Sequence, residues 1–307
     1  MDPIQQINIT KDSSFAMLLA AQSLGWDIYY MELSDLFIAD NRPGARMSSL
    51  TVADDIRQWF TITKPEILQL QELDIILMRK DPPVTMEYIY VTHILDLATQ
   101  AGVCVVNNPS ALREVNEKLY IYWFPECIAP TLVSRSMEQF FDFMDEHDDV
   151  VLKPLDGMGG ASVFRIQKTN ANAEVIIETL TNRGQKFAMA QRFIPDIVTG
   201  DKRILLIDGN PVPYALARIP RPGEHRGNLA AGGTGKGVEL SDRDHEICNI
   251  IAPVLRAKGL RFVGVDIIGN YLTEINVTSP TCIRELDKLY DLDIARDLLL
   301  AIEKTLN

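Results

Sequence analysis

Two hydrophobic rhythms alternate along the first third of the chain. Residues 13–24 (SSFAMLLAAQSL) form an apolar helical stretch, with Asp12, Ser13 and Ser14 available as caps and Gly25 to end it. Residues 28–31 read as a short strand. Residues 73–78 (LDIILM) and 103–107 (VCVVN) are brief apolar runs of the kind buried in parallel sheets, and residues 86–100 between them read as a helix. This strand–helix–strand rhythm predicts a doubly wound α/β sheet. The chain opens on Met1-Asp2-Pro3, a turn-like sequence, where an open α/β sheet would have a central strand feeding the loop. The expectation is a domain lacking its first strand, or a start that lies upstream.

From Asn116 the pattern changes. Strands are predicted at 126–133, 150–154, 162–166 and 187–194, with helices at 136–146 and 173–182, which together make a small α+β unit. The remainder, 201–206, 212–219, 262–268 and 272–277, is hairpin-like, with helices at 242–258 and 291–306. Three regions follow: 1–117, 118–194 and 195–307.

Composition narrows the function classes. A 47% hydrophobic, 23% charged chain is ordinary for a globular protein. The net charge of −12, with no basic tract, argues against general binding to nucleic acid or an anionic membrane surface. A few arginines can still build a local anion pocket. The four cysteines include no C-x-x-C, and no signal peptide or run of about 20 apolar residues is present. A reducing cytoplasm is the simplest reading. The four histidines have no metal-binding spacing, so none is assigned to catalysis.

The candidate chemistry lies in three clusters. Residues 150–162 (VVLKPLDGMGGAS) read as strand, glycine-rich loop and strand, with Lys153 at the strand end to meet a phosphate. No G-K-[ST] follows, so this is not a P-loop. Residues 264–276 (GVDIIGNYLTEIN) read as a hairpin carrying Asp266, Glu274 and Asn276, hard oxygen donors suited to magnesium. A three-residue loop at 269–271 would put Asp266 opposite Glu274, whereas a two-residue Gly-Asn loop would split them onto opposite faces. Arg79, Arg203 and Arg218 sit at strand ends and suit a carboxylate. Residues 219–237 form a glycine-dense loop with Arg226 at its centre, able to close over a reactive phosphate.

Lys118, KPLDGMGGAS, Asp201-Lys202-Arg203, RGNLAAGG and D-x₇-E-x-N together resemble the ATP-grasp ligases. MDPI, INITKDSSFAMLL, ILMRKDPP, NEKL, LKPLDGMGGAS, RGNLAAGG and LTEINVTSPTCIRE are similar, along nearly the whole chain, to the bacterial glutathione synthetases. The resemblance implies an ATP-grasp fold behind the N-terminal doubly wound (pre-ATP-grasp) domain. It also implies the reaction γ-glutamylcysteine + glycine + ATP → glutathione + ADP + phosphate, through an acyl phosphate. Lys118, Lys153 and the Gly157-Met158-Gly159-Gly160 loop would hold ATP phosphates, Gln191, Arg192, Phe193 and Ile194 the adenine, and Asp201 the ribose or phosphates. Asp266, Glu274 and Asn276 would hold two magnesium ions, with manganese as an alternative. Ser13, Arg79, Arg203 and Arg218 would contact the dipeptide, and Arg203 would also stabilise the tetrahedral oxyanion. Arg226 and Gly233 would belong to the lid, and residues 278–281 would line the site. Family members of this type assemble as homo-oligomers, often tetramers. Two positions depart from the family pattern: the hydrophobic strand before M-D-P is missing, and Thr234 stands where a lid arginine is expected. Other ATP-grasp ligases and a nucleotide-binding regulatory protein are the alternatives.

Overall fold

The computed structural model describes residues 1–229 and 232–306. Helix α1 (Ser13–Ser23) begins where the Asp12 carboxylate accepts a hydrogen bond from Phe15 N at 2.6 Å, and the chain leaves it through Gly25 at φ +79°. The strand expected at 28–31 is β1 (Tyr29–Tyr30), and residues left blank by the hydrophobic pattern join it in an antiparallel sheet: β2 (Leu36–Ala39), β3 (Arg42–Val52), β4 (Phe60–Ile62) and β5 (Glu66–Gln69). The long β3 pairs with all four of the others. Strands β6 (Ile75–Leu77) and β7 (Cys104–Val106) pair in parallel, joined through α2 (Met86–Gln100). They are the only parallel pair among the described residues. On the other edge of β6 lies a cavity of about 510 Å³, lined in part by Met17, Tyr30, Leu36, Ile76 and Leu299.

After α3 (Pro109–Glu114) the chain runs through short 3-10 turns, and β8 (Thr131–Ser134) starts five residues later than the predicted strand at 126. Pro125 and Pro130 have no N–H to give a ladder, which accounts for the late start. α4 (Met137–His147), capped by Ser136, leads into β9 (Asp149–Pro154), β10 (Phe164–Gln167), α5 (Ala173–Leu180) and β11 (Ala188–Arg192). These strands form an antiparallel sheet in the order β10-β9-β11-β8, and Phe140, Met144, Ile177 and Leu180 of the two helices share one core with its residues.

The last region holds β12 (Asp201–Ile207), β13 (Asn210–Pro211), β14 (Tyr214–Ile219), β15 (Thr234–Glu239), α6 (Asp242–Ala257), β16 (Phe262–Ile268), β17 (Tyr271–Asn276), α7 (Ile283–Tyr290) and α8 (Ile294–Glu303). Its sheet order is β15-β14-β12-β16-β17, with β13 on β12, and every pair is antiparallel. One side of this sheet packs on α6 through Ile247, Ile251 and Leu255, in a core shared with α2 and α3. The other side meets α1, α7 and α8 through Leu205, Leu216 and Phe262. No helix is long and apolar enough to cross a membrane among the described residues.

Candidate active site

Strand register brings the candidate residues together. Arg203 pairs with Asp266 across β12 and β16, Asp201 pairs with Arg218 across β12 and β14, and Asp266 pairs with Glu274 across β16 and β17. Gly264 pairs with Asn276 two positions along. Because side chains alternate along a strand, Arg218, Asp201, Arg203, Asp266, Glu274 and Asn276 share one face of the sheet. Gly264 has no side chain there, and a Cβ would stand 2.9 Å from both Arg203 Cδ and Pro280 Cβ.

The hairpin reaches this register by a route other than the one expected. Its loop is the two-residue Gly269-Asn270, since Ile268 pairs with Tyr271 and Ile267 with Leu272. A bulge between Asp266 and Ile267 then leaves Thr273 unpaired, and Glu274 falls opposite Asp266. Thr273 Oγ1 donates to the Asp266 carbonyl at 3.1 Å, which fastens the bulge. The condition of a three-residue loop is corrected; the facing of the two acids stands.

The electrostatics are dense and buried. Arg203 bonds Asp266 through both Nε and Nη2, and Arg218 Nη2 lies 2.5 Å from Asp201 Oδ2 and 2.8 Å from Asp266 Oδ2. Burial works to raise the Asp266 pKa, but the Arg203 and Arg218 guanidinium groups outweigh it and hold the carboxyl far below the usual range. Asp201 goes the other way. Burial, with the charges of Asp266 and Glu274, pushes it up to about 6 against the pull of Arg218. Its Oδ1 is buried without a hydrogen-bond partner.

Two lysines reach the site, Lys118 from the 3-10 turn after α3 and Lys153 from β9 of the middle sheet. Lys118 Nζ donates to Gly157 O at 2.6 Å and lies 3.3 Å from Glu274 Oε1. Lys153 is buried at the end of β9, its Nζ 3.5 Å from Thr273 O, and burial lowers its pKa although Glu274 opposes this. Beyond it, Gly159 (φ +63°) and Gly160 (φ +79°) turn the loop in conformations that side chains resist. Met158 is exposed at the tip. The loop meets the lid: Arg226 Nη1 donates to Gly160 O at 3.4 Å, and a Cβ on Gly160 would fall 2.7 Å from Asn228 Oδ1. At the lid base a Cβ on Gly233 would sit 2.2 Å from Gly227 O. Ala230 and Ala231 of the RGNLAAGG motif lie outside the described residues. Thr234 begins β15, opposite Ile219.

Gln191 is buried on β11 with its Nε2 3.1 Å from Thr131 Oγ1, and Arg192 Nη2 donates to the Tyr271 hydroxyl at 3.0 Å. Phe193 carries the Arg165 guanidinium 3.7 Å above its ring, and Ile194 is buried. Ser13 and Arg79 serve the turn after β17: Ser13 Oγ accepts from Ile283 N at 3.2 Å, while Arg79 donates to Pro280 O at 2.9 Å and Ser14 Oγ at 3.0 Å. Sequence reasoning gave no role to Glu117, Asn107 or Lys202, which anchor these elements through Val277 N, Phe262 O and the Asp244 carboxylate. Glu117 stood inside the quoted NEKL motif, so its adjacency to Lys118 was the available signal.

The donor set suits a divalent cation. Glu274 and Asn276 carry hard oxygens on the same face as Asp266, whose two oxygens are bonded to Arg203 and Arg218, and the unpartnered Asp201 Oδ1 lies in the same network. Among the described residues no group of three or more His, Cys, Asp or Glu side chains is gathered for a metal.

Residues 1–113 match a family model described as the prokaryotic glutathione synthetase N-terminal domain, and residues 117–291 match the ATP-grasp domain of the same family. The chain belongs to the prokaryotic glutathione synthetase family. It is 55% identical over 306 residues to the glutathione synthetase of Vibrio vulnificus, covering 100% of this chain and 96% of that one. It is 54% identical over 307 residues to that of Yersinia pestis, covering 100% and 96%. Among solved structures, a Chryseobacterium gregarium RiPP-associated ATP-grasp ligase in complex with ADP, and a leader and core peptide, has a TM-score of 0.64 at 14% identity, over 97% of this chain and 95% of that one. D-cycloserine synthetase DcsG has a TM-score of 0.60 at 16% identity, over 78% and 86%. At these identities the structural likeness shows the ATP-grasp fold.

Proposed function

We infer that the chain is an ATP-dependent carboxylate–amine ligase that joins γ-glutamylcysteine and glycine to give glutathione, ADP and phosphate. The observation that carries the reading is the single sheet face from Arg218 to Asn276, closed by Lys118, Lys153 and a glycine loop. Family membership supplies the substrates.

In this reading the cysteine carboxylate of the dipeptide attacks the γ-phosphorus of ATP, the bond to the β-phosphate oxygen breaks, and ADP leaves. The glycine amine, as the free base, then attacks the acyl phosphate carbonyl. The tetrahedral adduct expels phosphate, and the amine loses its proton. Lys118, Lys153 and the amides of residues 157–160 would hold the phosphates, and residues 191–194 the adenine. Arg203 and Arg218 would bind the dipeptide carboxylate, with Arg203 facing the oxyanion. Asp201 would lie near the ribose or phosphates, and Ser13 and Arg79 would shape the dipeptide side through the turn at 278–283. Arg226 would cover the reacting phosphate from the glycine-dense loop of residues 219–237 and help exclude water. Asp266, Glu274 and Asn276 would hold two magnesium ions, or manganese, whose chemistry is to orient the γ-phosphate and neutralise its charge. On this reading the chain divides into a substrate-binding region (1–117), a lid (118–194) and a metal-bearing region (195–307). It would work in the cytoplasm as a homotetramer, as the family resemblance implies.

The test is phosphate release from magnesium-ATP and γ-glutamylcysteine, with and without glycine, in wild type and Glu274→Gln. Glycine-dependent release that falls by about 10²-fold or more in the variant supports the ligase and the acid together. Release that ignores glycine, or survives the substitution, would overturn them.

A further inference from the structure

Strand β17 carries Glu274 and Asn276, and it is an edge strand. An edge leaves one row of backbone groups without a ladder partner, so residues on it are held less firmly than residues on a central strand. Here one residue takes the place of a neighbouring strand. The carbonyl oxygen of Glu117 accepts from Ile275 N at 2.9 Å. Its side-chain Oε1 accepts from Val277 N at 2.8 Å, Thr278 N at 3.0 Å and Thr278 Oγ1 at 2.9 Å. Asn276 therefore lies between two residues whose N–H groups are both fixed by Glu117.

The flanking residues extend the pattern. Asn116 Nδ2 donates to Leu155 O at 3.2 Å, and Lys118 Nζ reaches Gly157 O and Glu274. Three consecutive side chains thus address the root of the glycine loop, the end of β17 and the acid upon it. The Thr278 side of this clamp is buried, so an acceptor removed there would leave three donors without a partner.

We propose that Glu117 is a positioning residue for the metal face: by acceptor geometry it fixes the backbone on both sides of Asn276 and so sets where that amide and Glu274 stand. The inference rests on the reading of Asp266, Glu274 and Asn276 as the metal-holding set. What matters at the side chain is an oxygen at the Oε1 position, since its three bonds are all accepted and none is donated. Gln supplies that oxygen. Asp keeps the charge but draws the oxygen back by one methylene, and Ala removes it.

The experiment measures Mn²⁺ binding from the free-ion EPR signal, in the presence of the non-hydrolysable nucleotide AMP-PNP, for wild type, Glu117→Gln, Glu117→Asp and Glu117→Ala. Thermal unfolding of each protein is recorded alongside. Glu117→Gln is expected to bind Mn²⁺ within about threefold of wild type, and Asp and Ala to bind it about 10-fold more weakly, the loss typical of removing an outer partner of a metal ligand. The magnesium concentration for half-maximal turnover should rise in parallel. Unchanged Mn²⁺ binding in Glu117→Ala, with only a lower Tm, would overturn the inference and leave Glu117 as a fold anchor. Rescue by Asp but not Gln would also overturn it, because charge would then be the active property. If Glu117→Ala does not fold, the contrast between Gln and Asp decides alone. If wild type itself binds no Mn²⁺ with nucleotide, the metal reading falls and takes the inference with it.

Discussion

Asp287 shows how a single carboxyl outside the site can govern the response to pH. It is half-buried on α7, and its Oδ1 accepts from Ile294 N at 3.1 Å. Burial, with Asp293 and Asp297 nearby, raises its pKa from 3.8 to about 6 despite that bond. A carboxyl whose folded pKa is raised favours the fold while protonated, so its contribution is lost as pH rises from 3.8 through 6. Asp287→Asn keeps the acceptor for Ile294 and never ionises. It should stabilise the protein at pH 7.5 by up to about 1 kcal/mol, the shift being discounted for solvent screening. The gain should shrink below pH 6 and vanish below pH 4. Thermal unfolding of both proteins across that range is the measurement, and a gain that is constant with pH would refute the assignment.

Among elements, the contact between lid and glycine loop makes the sharpest claim. Gly160 combines φ +79° with a Cβ position 2.7 Å from Asn228 Oδ1. Gly160→Ala would strain the loop and displace the segment of residues 226–229. We expect KM for ATP to rise about 10-fold and glycine-independent phosphate release to increase, as water reaches the intermediate, while Tm moves by no more than a few degrees. Unchanged kinetics would mean that the two loops do not act together. This pair of loops was legible in the sequence because glycine runs, and an arginine beside one of them, are local signals. The bulge at Thr273 was not. It depends on the Thr273 hydroxyl meeting the Asp266 carbonyl across the hairpin, a tertiary bond that no turn rule contains. The strands β2 and β5 were missed for a related reason: they bury no residue fully, so their apolar alternation is faint. Helix α7 was hidden behind Pro280 and the left-handed Cys282, which mask a start that lacks a side-chain cap.

Across the whole molecule, one amide ties the parallel pair to the β16–β17 hairpin. Asn107, at the end of β7, donates through Nδ2 to Phe262 O at 2.8 Å and Val277 O at 2.7 Å. Its Oδ1 accepts from Arg261 N at 2.8 Å and Phe262 N at 3.0 Å. All four bonds link the N-terminal unit to β16 and to the residue after β17, and the side chain is buried. Asn107→Ala strands two donors and two acceptors, and we expect a loss of about 3 kcal/mol or more in stability. Asn107→Asp separates the donor half of the amide from the acceptor half. Its second oxygen would face two carbonyls, which repel a carboxylate and accept from a protonated acid. The folded pKa of the new aspartate should therefore stand above its unfolded value. Stability lost at pH 8 should return in part as pH falls below that folded pKa, a recovery that Asn107→Ala cannot show. Chemical denaturation of both variants at pH 5 and pH 8 tests this. Equal losses at the two pH values in Asn107→Asp would mean that the two carbonyls are not what the amide holds, and that the other polar links, Arg79 to Pro280 O among them, carry the join.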